Sequence, residues 1–308
     1  MNDPERPAVS ANVVSANVVL GNVVLPNVTV QQLDYLVAAA REATFSEAAS
    51  AVGVTPSALS QGLAELERRV GVALFESEGR RRVLRPQAVE VLRYAERVLA
   101  QTADLARWAD AVRTGRTGAL RVGLIDVAAV EHYPQALRAF RRQRPDVDLR
   151  LTVAPSGDLL ERLGRGLLDV AVCVDPEAPD HDAQPLLDEP LAVYAPDGAR
   201  VGRPETWGPW VSFPAGSQTR AVIEGALREL GVAFEVVAES HQPEVLCEMV
   251  RLGIGWTVLP VIQAEKPPAP LRRVGTDVLT HRRLAAVRRT DRPPDPAADA
   301  LVEALLTA

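Results

Sequence analysis

The sequence predicts two folds in one chain: an N-terminal all-α unit with a short β-hairpin and a long helix, then a C-terminal α/β unit of two subdomains. Apolar residues recur at helical spacing from Leu33 and again from Val91. Beyond residue 118, apolar strand-like runs alternate with helical runs. The 308 residues, 47% of them hydrophobic, suffice for two or three domains of roughly 100 to 200 residues each.

Residues 11–30 form four five-residue units, each with Asn-Val at its second and third positions. The period resembles that of pentapeptide-repeat solenoids, but four units make only about one coil, and a solenoid needs several stacked repeats to bury a core. We therefore expect residues 1–28 to be a disordered, low-complexity extension.

The next segment predicts two helices. The first ends near Ala43 and carries its apolar face on Leu33, Leu36, Val37 and Ala40. Ser46 is placed to cap a second, short helix over residues 47–52. A turn at Gly53 then leads into a third helix.

The third helix has a strong start signal. Thr55 is a good N-cap, and Pro56 follows at the first helical position, where its missing N–H costs nothing. Val54 and Leu59 have the spacing of a hydrophobic staple. Two short helices joined by a tight turn predict a helix-turn-helix.

A hairpin follows the third helix. Leu74 to Glu76 and Val83 to Leu84 flank a polar stretch with glycine at its turn and arginine at 80, 81 and 82. We interpret this hairpin as a wing, which makes residues 29–87 a winged helix-turn-helix domain.

Residues 88–113 predict one long helix with apolar residues at alternating spacings of four and three. Pairing with a second copy is the simplest explanation of that stripe, and packing on its own domain is the alternative. The predicted dimerisation residues are Val91, Ala95, Val98, Thr102, Leu105, Ala109 and Val112. Residues 114–118, with two glycines, predict a hinge.

Residues 119–308 predict an α/β unit. The alternation of strands and helices is typical of a parallel sheet with crossover helices. The pattern occurs twice in succession, which indicates two subdomains with a cleft between them. We expect the chain to cross between the subdomains near residues 192 and 260.

Residues 29–113 resemble the winged helix-turn-helix and linker helix of LysR-type transcriptional regulators, and the rest is similar to that family's periplasmic-binding-protein-like effector domain. The ordered set of short motifs carries the resemblance. In the N-terminal part these are Phe45 to Ala49, Val54 to Gln61, Leu66-Glu67, Gly71 to Glu76 and Leu84 to Pro86. In the C-terminal part they are Leu120 to Gly123, Phe140 with Pro145, Leu168 to Val172, Gly253 to Gly255 and Leu259-Pro260.

The chain also departs from the family pattern in the predicted reading helix. Pro56 stands where a glutamine is frequent, Gly62 lies inside the helix, and Glu65 occupies a position where a basic residue is common. These departures predict a helix that reads bases through few side chains.

The resemblance implies sequence-specific DNA binding, which must be local, because the net charge of −6 argues against indiscriminate binding. Arginines and acids balance over residues 28–87, at seven each, but three arginines crowd the wing tip. A helix in the major groove reads bases with its N-terminal side chains. We expect Ser57 and Gln61 at base edges. The other predicted DNA contacts are Ser46, Thr55 and Ser60 at phosphates, Pro56 beside them, and Arg80, Arg81 and Arg82 in the wing. The alternative is that the wing arginines form a solvated turn and the serines are ordinary surface residues.

The resemblance also implies a small-molecule effector, bound where strand ends meet helix N-termini. The predicted effector-binding residues lie on four loops: Asp126, Val127 and Ala128; Ser156 and Gly157; Ser217 and Gln218; and Gln242. Asp126 would repel a carboxylate, which favours a less acidic or a cationic ligand. Plain helix capping is the alternative role for Ser156, Ser217 and Gln242.

Other function classes have little support. The four histidines and two cysteines lack metal-ligand spacing, and neither a nucleophile elbow nor a phosphate-binding loop occurs. We therefore expect no metal, no cofactor and no enzymatic activity. The sequence predicts a cytoplasmic homodimer or homotetramer without membrane contact, with DNA, a small effector and RNA polymerase as candidate partners. The alternative is a ligand-binding protein whose N-terminal helices serve assembly only.

Overall fold

The computed structural model describes residues 19–20, 23–24, 26–78, 81–114, 119–176, 181–292 and 294–308. The chain divides into two compact units, Met1–Leu99 and Ala100–Ala308. From the N-terminus to the boundary helix, the elements are β1 (Val19–Leu20), β2 (Val23–Val24), α1 (Val30–Arg41), α2 (Phe45–Ala51), α3 (Pro56–Val70), β3 (Phe75–Glu78), β4 (Arg81–Leu84) and α4 (Val89–Thr114). The predicted disordered extension falls mainly outside the described residues, although β1 and β2 within it pair antiparallel.

The start of α2 differs from the prediction. Thr44, not Ser46, is the N-cap: its hydroxyl accepts the backbone N–H of Glu47 at 3.2 Å and donates to that residue's carboxylate at 3.0 Å. The prediction that Ser46 caps this helix is wrong, because the Thr44–Glu47 spacing completes a capping interaction two residues earlier.

Helix α3 begins as predicted. The Thr55 hydroxyl accepts the N–H of Ala58 at 3.2 Å, and Pro56 occupies the first helical position. Leu59 is fully buried, and Val54 packs against the same core. The helix ends at Gly71, whose φ of 75° is the left-handed conformation that favours glycine.

Strands β3 and β4 form the wing as an antiparallel pair, with Phe75 opposite Leu84. The turn between them, residues 79–80, lies outside the described residues. Helix α4 follows a 3-10 turn at Pro86–Ala88 and extends to Thr114. Its beginning completes the core of the first unit, in which Ala88 and Ala95 are fully buried.

The second unit is α/β, as predicted. Its elements are β5 (Ala119–Leu124), α5 (Pro134–Gln143), β6 (Asp148–Val153), α6 (Ser156–Gly164), β7 (Val170–Val174), β8 (His181–Tyr194), β9 (Trp210–Ser212), α7 (Gln218–Glu229), β10 (Val236–Glu239), α8 (Pro243–Arg251), β11 (Thr257–Pro260), α9 (Val261–Ala264), β12 (Thr280–Arg289) and α10 (Pro296–Leu306). A short π-helical turn, Ala128–His132, follows β5.

Two hydrophobic cores define two lobes. Lobe I has its core among residues 120–174 and 284–305, and lobe II among residues 191–279. The chain passes into lobe II along β8, close to the predicted crossing near 192. It returns along β12, later than the predicted crossing near 260, because residues 261–279 still pack in lobe II.

The main sheet is mixed rather than parallel. Its strand order is β11-β8-β12-β7-β5-β6. Strand β5 pairs parallel with β6 and β7, whereas β12 pairs antiparallel with both β7 and β8. Strand β12 has a buried Leu-Ala-Ala-Val centre between two arginine-rich ends. Because the apolar centre is short, the sequence of β12 predicts a strand only weakly.

Candidate nucleic-acid interface and ligand cleft

The first turns of α3 present a polar, exposed face. Ser57, Ser60 and Gln61 are spaced so that they share one side of the helix, and all three are exposed, as are Thr55 and Pro56. Ser46 is exposed on α2, which packs beside α3. The structure therefore places the predicted helix residues where an outside partner can reach them.

The wing contributes one arginine, Arg82, whose side chain is held in place by an aromatic ring. The guanidinium carbon of Arg82 lies 5.6 Å from the centre of the Phe45 ring, a cation–π contact. Phe45 in turn meets Phe75 edge to face, with ring centres 5.4 Å apart. These rings hold Arg82 beside the start of α2. Arg81 begins β4, and Arg80 lies outside the described residues.

Glu65 on α3 is paired within its own helix. Its carboxylate accepts hydrogen bonds from Nε of Arg68 at 2.8 Å and from Nε of Arg69 at 2.5 Å. Hydrogen bonds from Arg68 and then Arg69 lower the pKa of Glu65 to about 2. The acid that departs from the family pattern is therefore bound by two arginines of its own helix, and the group of three side chains has a net charge of +1.

Gly62 has a packing role. A Cβ at this position would lie 2.6 Å from Cδ2 and 2.7 Å from Cε2 of Tyr35 on α1, closer than real Cβ atoms approach. The absence of a side chain lets α1 and α3 come together at this point. Gly62 thus serves the contact between two helices rather than a base contact.

The predicted dimerisation stripe on α4 is divided between two environments. Ala95 is fully buried, and Val91 and Val98 pack against the core of the first unit. These three residues therefore pack on the chain's own domain, and their part in pairing with a second copy stays a prediction. Thr102, Leu105 and Ala109 are exposed, and the side chain of Val112 lies outside the described part of the chain.

The last part of α4 is attached to lobe I. Ala100 is fully buried, and a Cβ at Gly166 would come within 3.1 Å of its Cα. The carboxylate of Asp104 accepts hydrogen bonds from Arg107 and from Arg289 at the end of β12. Burial and the charge of nearby Arg121 lower the pKa of Arg107. The helix is therefore joined to lobe I through partly buried ion pairs.

The first effector loop lies differently from its prediction. Val127 and Ala128 are fully buried in the lobe I core, so their placement in the effector site is wrong. Asp126 alone reaches the cleft, where it accepts Nε2 of Gln263 on α9 at 3.0 Å. Asp126 and Val127 are neighbours in the turn after β5, but the side chain of Asp126 faces the cleft and that of Val127 faces the core of lobe I.

The remaining loop residues have mixed surroundings. Ser156 is buried, and its Oγ accepts the N–H of Val174 at 3.3 Å, which ties α6 to the end of β7. Ser217 caps α7 by accepting the N–H of Arg220 at 3.1 Å, as the capping alternative states. Gly157 and Gln242 are exposed and Gln218 is partly exposed, at the starts of α6, α8 and α7.

A buried polar network, which sequence reasoning missed, lies where the crossing strands meet both lobes. Glu189 on β8 and Arg282 on β12 are 1% and 4% exposed, and Nε of Arg282 donates to Oε2 of Glu189 at 2.6 Å. Nη1 of Arg282 also donates to Thr219 of α7 at 2.7 Å, and His132 Nε2 lies 2.6 Å from Oε1 of Glu189. These partners are 57 to 93 residues apart, so no local pattern signals them.

A cavity of about 470 Å³ adjoins this network. Its walls come from both lobes and from the crossing strands: Val174, Asp175, Asp188, Val222, His281, Arg282 and Arg283. A second bridge joins the lobes where Lys266 Nζ lies 2.5 Å from Oε1 of Glu131. The geometry is that of a two-lobed cleft with polar cross-links.

The two cysteines are buried in different lobes. Burial, and then the charge of Asp175, raise the pKa of Cys173 to about 12. Burial raises the pKa of Cys247 as well. Both thiols are therefore held in the protonated, unreactive form at neutral pH.

The described residues show neither a metal-ligand cluster nor a membrane-spanning helix. Among the residues that the structure describes, no three His, Cys, Asp or Glu side chains are grouped as metal ligands. Within those ranges, no helix combines the length and the apolar character needed to cross a membrane.

Comparison with known proteins gives matches along nearly the whole chain. Residues 30–88 match the family described as "Bacterial regulatory helix-turn-helix protein, lysR family", and residues 113–308 match "LysR substrate binding domain". The chain is 29% identical over 287 residues to the uncharacterized HTH-type transcriptional regulator YfeR of Shigella flexneri, covering 89% of this chain and 92% of that one. It is 30% identical over 294 residues to the HTH-type transcriptional regulator CbbR of Xanthobacter flavus, covering 90% and 87%.

Solved structures agree. A full-length OxyR variant from Pseudomonas aeruginosa superposes with a TM-score of 0.56 at 25% identity, covering 90% of this chain and 94% of that one. Full-length CbnR complexed with its target DNA gives a TM-score of 0.55 at 20% identity, covering 90% and 98%, and supports the fold.

Proposed function

Because this chain belongs to the LysR family and is a DNA-binding transcriptional regulator with an effector-binding domain, we propose specific roles for the two surfaces described above. Helices α2 and α3 with the wing form the DNA interface. The cleft between lobes I and II holds the effector.

The exposed polar face of α3 beside the ring-held Arg82 is the observation that supports the DNA interface. Ser57 and Gln61 contact base edges, because N-terminal side chains of a groove-bound helix reach deepest. Ser46, Thr55 and Ser60 contact phosphates. The hydroxyl of Thr55 accepts a backbone N–H within the helix and keeps its proton to donate.

The salt dependence of binding tests this interface. The variant Arg81→Ala/Arg82→Ala should bind DNA from upstream of the chain's own gene more weakly. Its slope of log K against log salt should fall by roughly 0.9 for each phosphate that is no longer neutralised. Arg93→Ala is the matched control, because Arg93 is exposed on α4 and paired with Glu90. An unchanged slope in the wing variant rejects the assignment.

We propose homodimerisation through the exposed side of α4. Leu105 and Trp108 are 63% and 64% exposed on the part of α4 that follows Ala100. Together with Tyr94, 49% exposed, they follow heptad spacing on one helix. Sedimentation of Trp108→Lys should show a smaller species than the parent or Arg93→Ala. A homotetramer would form if two such dimers associated through a second surface.

For the effector, the cavity between the lobes supports the proposal. The other proposed effector contacts lie on four loops of the two lobes, after β5 and at the starts of α6, α7 and α8: Asp126, Gly157, Ser217, Gln218 and Gln242. Calorimetry with ligands found by thermal-shift screening tests it. A ligand that the Ser156→Ala/Ser217→Ala variant binds as tightly as the parent does not use these loops.

Strand β12 is the proposed route from the cleft to the linker helix. Arg282 joins the buried cleft network, and seven residues later Arg289 pairs with Asp104 of α4, a span of about 23 Å along the strand. An effector that binds one arrangement of the lobes better than another shifts this contact. Asp104→Asn should change DNA binding in the presence of effector more than in its absence.

Some of the relatives have names that state a signal. One, from Streptomyces viridosporus, is named a probable hydrogen peroxide-inducible genes activator. Thiol chemistry with peroxide needs an accessible thiolate, and both thiols here are buried with raised pKa values. We propose that this chain responds to a bound small molecule instead. We assign it no catalysis, place it in the cytoplasm with its DNA, and consider RNA polymerase a partner at its promoter.

A further inference from the structure

The cations around the cleft are already engaged by protein carboxylates. Arg282 pairs with Glu189. Lys266 pairs with Glu131, and Arg283 lies 3.4 Å from Asp188. Arg220, on the first turn of α7, pairs with Glu224 and Glu239. An anionic ligand would have to break one of these pairs to find a counter-charge.

Asp126 is in the opposite situation. Its Oδ2 accepts a hydrogen bond from a neutral group, the side-chain amide of Gln263, at 3.0 Å. The amide comes from lobe II, so this contact crosses the cleft. Within the described part of the chain, the Asp126 carboxylate is therefore bridged to lobe II by an amide and not by a cation.

Gln263 carries a second signal. Its Oε1 is buried, and among the described residues no hydrogen-bond donor reaches it. A buried amide oxygen without a donor is costly, and a bound group that donates to it would remove the cost. The acceptors Oε1 of Gln263 and the carboxylate of Asp126 thus belong to one small site.

The charges of the cleft favour a positive ligand. Among the residues that the structure describes, five acids and three cations line the cavity, form the buried pair beside it or bridge the two lobes, a difference of −2. They are Asp126, Glu131, Asp175, Asp188 and Glu189 against Lys266, Arg282 and Arg283. Arg220 brings two acids of its own and so does not reverse this sign. The histidines of the cleft, His132 and His281, are neutral in this count.

We infer that the effector carries an ammonium group that binds between Asp126 and Gln263. An ammonium has three donors and no acceptor, which matches a carboxylate and an amide oxygen. It replaces the amide–carboxylate hydrogen bond across the cleft by an ion pair with Asp126 of lobe I and a hydrogen bond to Gln263 of lobe II. The lobes then stay joined with the ligand in place. This inference rests on the proposed effector role of the cleft.

Calorimetry on the full chain tests the inference with putrescine and agmatine as amine probes and with succinate and benzoate as carboxylate probes. We expect saturable binding of an amine, at least tenfold weaker in Asp126→Asn. Asp148→Asn is the matched control, because Asp148 is an exposed lobe I carboxylate paired with Arg150. The control should bind the amine like the parent.

A second variant changes the lobe II side of the proposed site. Gln263→Glu adds a carboxylate at the same position and should strengthen amine binding severalfold, while lowering the melting temperature of the unliganded protein. Binding that is equal in the parent and Asp126→Asn, binding of carboxylates alone, or binding of neither amine overturns the inference. The proposed regulator function is judged separately, by whether the parent protein footprints its own upstream DNA without any probe.

Discussion

Replacement of Gly62 by alanine should destabilise the first unit, against the usual effect of this change. In an exposed helix interior, alanine is favoured over glycine by about 1 kcal/mol. At Gly62, however, the new Cβ would lie 2.6 Å from the ring of Tyr35, which is 7% exposed and whose hydroxyl accepts Nε2 of Gln31 at 2.8 Å. Overpacking of this kind costs about 1 to 3 kcal/mol. The net result is a loss of up to about 2 kcal/mol, on the same scale.

Gly225 gives a matched control. It lies inside α7, and a Cβ there would meet no atom within 4 Å. Gly225→Ala should therefore stabilise the second unit by about 1 kcal/mol. The same chemical change is thus expected to have opposite signs at two helical sites.

Hydrogen exchange of the full chain, followed by mass spectrometry, measures the amide exchange rates of the two units separately. Amides of α3 should exchange faster in Gly62→Ala, and amides of α7 slower in Gly225→Ala. DNA affinity should fall in the first variant and stay unchanged in the second. Equal protection of α3 in Gly62→Ala and of α7 in Gly225→Ala would show that the Tyr35 ring does not oppose a Cβ at position 62.

Three further predictions concern the second unit. Glu189→Ala leaves Arg282 buried without its counter-charge and should lower the free energy of unfolding by about 3 to 5 kcal/mol. Urea unfolding followed by tryptophan fluorescence measures this loss. A loss below about 1 kcal/mol would contradict a buried ion pair. Burial raises the pKa of Glu189, but the charge of Arg282 and the hydrogen bonds from His132 and Arg282 together outweigh burial and hold that pKa below its ordinary 4.5. This stabilisation is therefore complete above pH 4.5 and is lost as the pH falls through the lower folded value. Cys173 and Cys247 should react with a thiol reagent only after unfolding, and rapid labelling of the native chain would show an accessible thiol.

The local features of the DNA-binding part could be predicted from the sequence. Thr55, Pro56 and Leu59 interact within a turn of helix, so their spacing along the chain already specifies their geometry. The error at Ser46 is of the same local kind: Thr44, two residues earlier, competes for the same cap. The exposed position of Ser57 and Gln61 follows from the same helical period.

The sidedness of the long helix could not be predicted. The stripe through Ala95 and Leu105 reads as one apolar face, yet Ala95 lies in the core of the first unit and Leu105 is exposed. Which side of a helix is covered depends on what the rest of the chain packs against it. The pattern of α4 alone contains only the period.

The amino-acid sequence by itself determined the family, the two fold classes and the polar start of α3, because these depend on spacings of a few residues and on ordered short motifs. Only the tertiary structure decided how the cleft is built. Glu189 meets Arg282 because β8 and β12 pair antiparallel over 93 residues of separation, and Asp126 rather than Val127 faces Gln263 because the turn after β5 packs its apolar side into lobe I. Long-range pairing is set by the packing of whole elements, which no window of the sequence contains.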